Sequence, residues 1–221
     1  MRRATADAPL RVAALVSGQG TNLQALIDRC ADGSVPARIV LVGCNRASAP
    51  AIARAEAARI PVCLADRAAI PRRAERQRVL ADAIEAARAE LVVLAGFDEL
   101  LLPELVRAHA GRMLNTHPSL LPAFGGTMRA VEQALERGVK VSGCTVHIVT
   151  DEPDGGPILL QRCVPVRDDD TVATLHARIL AQEHQLLPAA VRAFAEDRVR
   201  VEGGRARVVG SARRAGHPLG L

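Results

Sequence analysis

Val12, Ala13, Ala14, Leu15 and Val16 form an apolar run that breaks at Ser17, Gly18, Gln19, Gly20 and Thr21, after which Asn22 to Arg29 carries its apolar residues at helical spacing. This reads as strand, glycine turn and helix. The unit recurs: Arg38 to Gly43 is a second strand and Pro50 to Arg59 an Ala-rich helix, Pro61 to Leu64 a third strand and Arg72 to Arg88 a longer helix. Leu91 to Ala95 is a continuous apolar run, as in a strand covered on both faces. Alternating β and α units predict an α/β domain with a doubly wound, mostly parallel sheet.

Pro103 to His109 then reads as a short helix, Arg112 to Asn115 as a fifth strand, and Thr127 to Arg137 as a helix closed by Gly138. Beyond this the pattern changes. Lys140 to Val149 and Pro157 to Pro165 are β-rich and separated only by Thr150, Asp151, Glu152, Pro153, Asp154, Gly155 and Gly156, so they should pair as an antiparallel hairpin at one side of the sheet. Asp170 or Thr171 caps a long C-terminal amphipathic helix that runs to about Ala195, and two short strands follow at Arg198 to Val201 and Ala206 to Val209. The expected organisation is a flexible extension over 1–10, one domain over 11–197, and a basic, partly disordered extension over 198–221.

The chain has 221 residues, enough for one well-buried domain. Hydrophobic residues make up 49%, yet no run approaches the roughly 18 that a membrane span needs. Met1 to Leu10 is polar and lacks a signal core, so a cytoplasmic protein is expected. Five cysteines with no C-x-x-C pair suggest neither disulfides nor zinc, and no metal is expected. The net charge is +5, and from Asp197 onward six Arg against Asp197 and Glu202 supply +4 of it. With no Trp or Tyr and only Phe97, Phe124 and Phe194, the chain has no base-stacking platform, and nucleic acid is not an expected partner.

Gly18, Gly20, Thr21 and Asn22 precede a helix, where unpaired N–H groups and the positive dipole end favour an anion. A glycine turn of this kind also occurs merely to close a strand onto a helix. A dinucleotide fingerprint fails because Leu23 stands where the third glycine belongs, and no Lys follows to make a Walker loop. A single phosphate fits better.

The second feature is Asn115, Thr116, His117, Pro118, Ser119, Leu120, Leu121 and Pro122 at a strand end, with Asp154 in the hairpin turn. In a doubly wound sheet ligands bind beyond the carboxyl ends of the strands. An amide and a protonated imidazole stabilise an oxyanion, and a carboxylate fixes the imidazole and favours its charged form, which suits acyl transfer without a covalent intermediate. Taken singly, each has an ordinary reading: Asn115 a local cap, His117 a loop histidine, Asp154 a turn residue before two glycines.

Taken together, these residues with Gln133-Ala134-Leu135, Gly143-Cys144-Thr145-Val146-His147 and Asp154-Gly155-Gly156 resemble the folate-dependent formyltransferases, from about Arg11 to Asp197. The resemblance implies a Rossmann-like sheet on which the amine of glycinamide ribonucleotide attacks the formyl carbon of 10-formyltetrahydrofolate, in purine synthesis. It implies catalytic roles for Asn115, His117 and Asp154, an oxyanion donor contributing roughly 3–4 kcal/mol. It implies that Gly20, Thr21 and Asn22 receive the substrate phosphate, with Gln182 and Glu183 towards the ribose. Arg73 would meet the glutamate tail of the folate, while Leu100, Leu101, Asn115 and Thr150, Asp151, Glu152, Pro153 and Asp154 would line the pterin site. His147, on an alternating strand, reads as structural. The partners are thus two small molecules, glycinamide ribonucleotide and a formylated folate, with a monomer or homodimer expected.

The chain departs from the family pattern at Asp98-Glu99, where Met-Arg is usual, and at Val131, Pro153 and Leu180. Carboxylates facing an anionic folate tail would weaken its binding. Two related activities compete. Formyltetrahydrofolate deformylase carries an additional N-terminal domain, and methionyl-tRNA formyltransferase an additional C-terminal one; with about ten residues before the first strand and about 25 after the long helix, neither activity is the expected one. A non-catalytic phosphate-ligand binder is the other alternative.

Overall fold

In a computed structural model that describes residues 3–5 and 7–210, the central strand is β1 (Leu10–Val16). It lies between β2 (Ala37–Cys44) and β4 (Leu91–Leu94) in a seven-stranded sheet, where β3 is Val62–Leu64, β5 Met113–His117, β6 Val141–Ile148 and β7 Ile158–Pro165. The order is β3-β2-β1-β4-β5-β6-β7. β1 to β5 pair in parallel; β6 runs antiparallel to β5 and to β7, so the predicted hairpin closes one edge. The chain winds outward from β1 through β3 and then returns to the opposite side at β4, which places a crevice between the carboxyl ends of β1 and β4.

The pleat of β1 distributes its side chains between two cores. Val12, Ala14 and Val16 pack with Leu23 and Leu26 of α1 (Thr21–Ala31) and with Leu175, Ile179 and Leu187 of α6 (Val172–Ala195). Ala13 and Leu15 pack on the other face with Leu80 and Ile84 of α3 (Arg73–Ala86) and Leu105 of α4 (Pro103–Ala108). Both faces are therefore covered, which explains the unbroken apolar run. The remaining helices are α2 (Ala51–Ala57) and α5 (Ala130–Glu136).

Thr171 is the N-cap of α6: Oγ1 of Thr171 accepts the Thr174 N–H at 3.2 Å, and Oγ1 of Thr174 accepts the Thr171 N–H at 2.9 Å. Such a cap contributes about 1 kcal/mol. Asp170, the other candidate, instead pairs with Arg178 at 2.8 Å.

Several element boundaries differ from the sequence reading by a few residues. β5 extends through His117, because Thr116 and His117 pair with Val146 and Thr145 of β6. α5 starts at Ala130 rather than Thr127, the preceding turn being set by Gly126 at φ 70° and a Thr127 hydroxyl that accepts the Arg129 N–H. Within 1–10, expected to be flexible, Ala4 is buried and its N–H donates to Ala195 O at 2.7 Å. In the C-terminal extension β8 (Val199–Glu202) and β9 (Arg205–Val208) form an antiparallel hairpin, while residues 211–221, where disorder was expected, lie outside the described residues. No helix among the described residues is long and apolar enough to cross a membrane.

Candidate active site

Asn115 and His117 are two residues apart on β5 and so share a face of the sheet. Opposite Asn115 in the β5–β6 ladder stands His147, which brings amide and imidazole together across the strands. Nδ2 of Asn115 lies 3.1 Å from Nε2 of His147 and 3.3 Å from Oδ1 of Asp154. The other carboxylate oxygen of Asp154 is 3.3 Å from Nδ1 of His117 and accepts the Gly126 N–H at 2.8 Å. Four side chains thus converge where the sequence named three. His147, read as structural, stands 3.4 Å from Asp154 at Nε2 and is 2% exposed, within 0.1 Å of the 3.3 Å that separates His117 from the carboxylate.

Local structure aims these groups. Asp154 adopts φ 53°, a left-handed conformation rare for a side-chain-bearing residue, in the turn between β6 and β7. Gly156 follows because a Cβ there would lie 1.8 Å from Ile148 O. The loop after His117 is fixed from β6 and β7. Thr145 Oγ1 donates to Ser119 O and accepts the Leu121 N–H, and Gln161 Nε2 donates to Leu121 O.

Electrostatics favour an ionised Asp154. Burial alone would raise its pKa, but hydrogen bonding to His147, the adjacent His117 charge and the Gly126 amide lower it to about 2. His117 Nε2 lies 2.8 Å from Phe124 O and Nδ1 3.3 Å from Asp154 Oδ2, so each ring nitrogen faces an oxygen to which its N–H can donate. These donors already have protein partners; a reacting oxygen would have to replace Phe124 O or Asp154 at one of them.

The glycine loop lies at the end of β1 on the same side of the sheet. Gly20 is the N-cap of α1 at φ 69°, with no side-chain cap on the following N–H groups. That leaves the N-terminus of α1 free to bind an anion. A Cβ at Gly20 would lie 2.6 Å from that of Ala51. Arg54, which no spacing in the sequence singled out, reaches this loop from α2 and donates to Gln19 O at 2.8 Å.

Asn22 Nδ2 donates to Glu183 Oε2 at 2.7 Å, linking α1 to α6, while Asn22 Oδ1 is buried with no partner among the described residues. Glu183 is 4% exposed; burial raises its pKa, with the Asn22 amide pulling the other way. Gln182, its neighbour, accepts instead from Arg162 of β7.

Of the residues expected to face a folate, Arg73 is exposed at the first position of α3 and Leu100 is 63% exposed. Leu101 is half-buried beside the core of the α3 face. Thr150 Oγ1 donates to Glu152 O, Pro153 is exposed in the same turn, and Asp151 pairs with Arg107 at 2.8 Å. Asp98 and Glu99 are not the unpaired carboxylates that would repel an anionic tail. Asp98 pairs with Arg46 and Arg67, and Glu99 with Arg76 at 2.7 Å. Burial opposes ionisation of Asp98, but Ser17, Asn45, Arg67 and Arg46 outweigh it and its pKa is lowered.

Known proteins resemble this chain in sequence and fold. The formyl transferase family profile matches residues 10–191. The chain is 46% identical over 201 residues to phosphoribosylglycinamide formyltransferase of Mycobacterium tuberculosis, spanning 91% of this chain and 92% of that protein. The crystal structure of glycinamide ribonucleotide transformylase 1 from Symbiobacterium toebii superposes with a TM-score of 0.87 at 48% identity, over 90% of this chain and 94% of that one. A formyltetrahydrofolate deformylase from Pseudomonas syringae has a similar fold, TM-score 0.85, but only 28% identity, and the match covers 92% of this chain and 67% of that one. The profile spans most of the chain and the relatives match over nearly their whole length: the chain belongs to the formyl transferase family.

Proposed function

We propose that the protein transfers the formyl group of 10-formyltetrahydrofolate to the amine of glycinamide ribonucleotide, in the cytoplasm and as part of purine biosynthesis. The observation that carries this reading is the convergence of Asn115, His117, His147 and Asp154 at the same end of the sheet as the uncapped N-terminus of α1. One end of the crevice suits a phosphate and the other an acyl carbon. The substrate amine forms a C–N bond to the formyl carbon, whose π electrons move onto oxygen. Asn115 Nδ2 and a His117 ring N–H stabilise that oxyanion, and Asp154 holds the imidazole and accepts positive charge beside it. Collapse of the intermediate breaks the bond to the folate nitrogen, which leaves with the proton lost by the attacking amine. No covalent enzyme adduct is formed. Gly20, Thr21 and Asn22 bind the phosphate, with Arg54 alongside; Glu183 accepts a ribose hydroxyl and Gln182 borders it. Leu100, Leu101 and the turn from Thr150 to Asp154 surround the pterin, and Arg73 extends towards the glutamate tail.

Deformylation, with water as acceptor, would leave the phosphate-binding loop without a role. Incubation with 10-formyltetrahydrofolate, with and without glycinamide ribonucleotide, separates the two. Folate release that requires the ribonucleotide supports the transferase; release at the same rate without it supports the hydrolase.

A further inference from the structure

Residues 96–102 join β4 to α4 across the crevice and are held along their length. The Ser17 N–H donates to Gly96 O and the Ser17 hydroxyl accepts the Asp98 N–H, both at 3.0 Å, which ties the start of the segment to the phosphate loop. Asp98 is held by Arg46, Arg67 and Asn45. The far end is held from α3. Glu99 turns inward, its side chain 7% exposed, and meets the equally buried Arg76. The Arg76 guanidinium also donates to Ile70 O and Pro71 O, so its direction is fixed. Gln77, 2% exposed, makes three contacts with the segment. Its Nε2 donates to Glu99 Oε1 and to Leu100 O, each at 2.9 Å, and its Oε1 accepts the Leu102 N–H at 2.7 Å.

A segment without regular structure has many conformations, and a ligand that must order it binds more weakly. Gln77 and Arg76 remove that freedom at the stretch carrying Leu100 and Leu101. Neither side chain reaches the catalytic cluster or the glycine loop. We propose that Arg76 and Gln77 are positioning residues for the formyl donor, acting through Glu99 and the backbone of Leu100 and Leu102. The proposal rests on the reading above that Leu100 and Leu101 line the donor site.

The test is Gln77→Met, which keeps the volume of the side chain and removes its hydrogen bonds. The KM for 10-formyltetrahydrofolate should rise about tenfold, corresponding to about 1.4 kcal/mol, while kcat and the KM for glycinamide ribonucleotide stay within about twofold. Arg76→Met and Glu99→Gln should behave alike, and the double variant should be no worse than the poorer single one if the pair acts as a unit. A lower unfolding midpoint with an unchanged donor KM would make Gln77 purely structural and overturn the proposal. So would equal rises in both KM values, or a fall in kcat alone. Calorimetric binding of a non-transferable deazafolate analogue gives a readout independent of turnover. Wild-type protein that binds the analogue but transfers no formyl group sinks the functional reading alone, and the analogue Kd of Gln77→Met then decides the positioning role. Wild-type protein that does not bind the analogue overturns both.

Discussion

Oδ2 of Asp154, in the turn between β6 and β7, stands 3.3 Å from Nδ1 of His117 at the end of β5. The two residues are 37 positions apart in sequence (154 − 117) and are brought together by the β5–β6 antiparallel ladder. A carboxylate so placed holds the ring in position, and in the proposed reaction it offsets positive charge beside the oxyanion.

Replacing Asp154 by Asn should therefore leave the fold intact and lower kcat by roughly 10²–10⁴, the range for loss of a positioned acid–base group. Both KM values should change little. Circular dichroism with steady-state kinetics checks this, and near-wild-type turnover would rule out the assigned role.

The same carboxylate gives stability a pH dependence. Its folded pKa is lowered to about 2, below the roughly 3.9 of an unfolded chain. The contribution, about 2 kcal/mol, is fully present above the unfolded value and is lost as pH falls through the folded one. Urea unfolding of wild type and Asp154→Asn should show a constant gap near neutrality that closes between about pH 4 and pH 2. A gap that persists to pH 2 would contradict it.

Glu183 has the opposite sign. Burial raises its folded pKa, so its contribution is present below the unfolded value of about 4.3 and is lost as pH rises through the folded value. Glu183→Gln, which can still accept from Asn22, should stabilise the protein near neutral pH. The advantage should vanish in acid, and the KM for the ribonucleotide should rise. Equal stability at pH 7, or an unaltered KM, would argue against this balance between stability and binding.

Gly20→Ala meets two obstacles: the residue sits at φ 69°, and a Cβ would lie 2.6 Å from the Ala51 side chain and 2.8 Å from its Cα. Left-handed strain and overpacking together should cost about 2–4 kcal/mol. The ribonucleotide KM should rise as the start of α1 shifts. Denaturant unfolding measures the first effect and kinetics the second.

Much of the fold was legible because its signals are local. The apolar run Val12 to Val16 with a glycine turn behind it identifies a strand leading into a helix, and a chain that changes from β–α units to two adjacent β-rich runs must change from parallel to antiparallel pairing. Boundaries were less legible where a neighbour sets them. His117 reads as loop from Pro118 beside it, but pairing opposite Thr145 of β6 keeps it in β5.

The sequence by itself determined the winding of the sheet, the glycine turn that leads into the first helix and the chemical types offered at the strand end, since each follows from periodicity, turn chemistry or residue type within a few positions. Only the tertiary structure decided which partners those groups meet. His147 joins the cluster because strand register places it opposite Asn115. Asp98 and Glu99, which the sequence shows only as two acidic residues, become internal ties because arginines from three other segments of the chain converge on them. Charge is a property of a residue, but its effect depends on what lies within a few ångströms, and that distance is set by packing across the sheet.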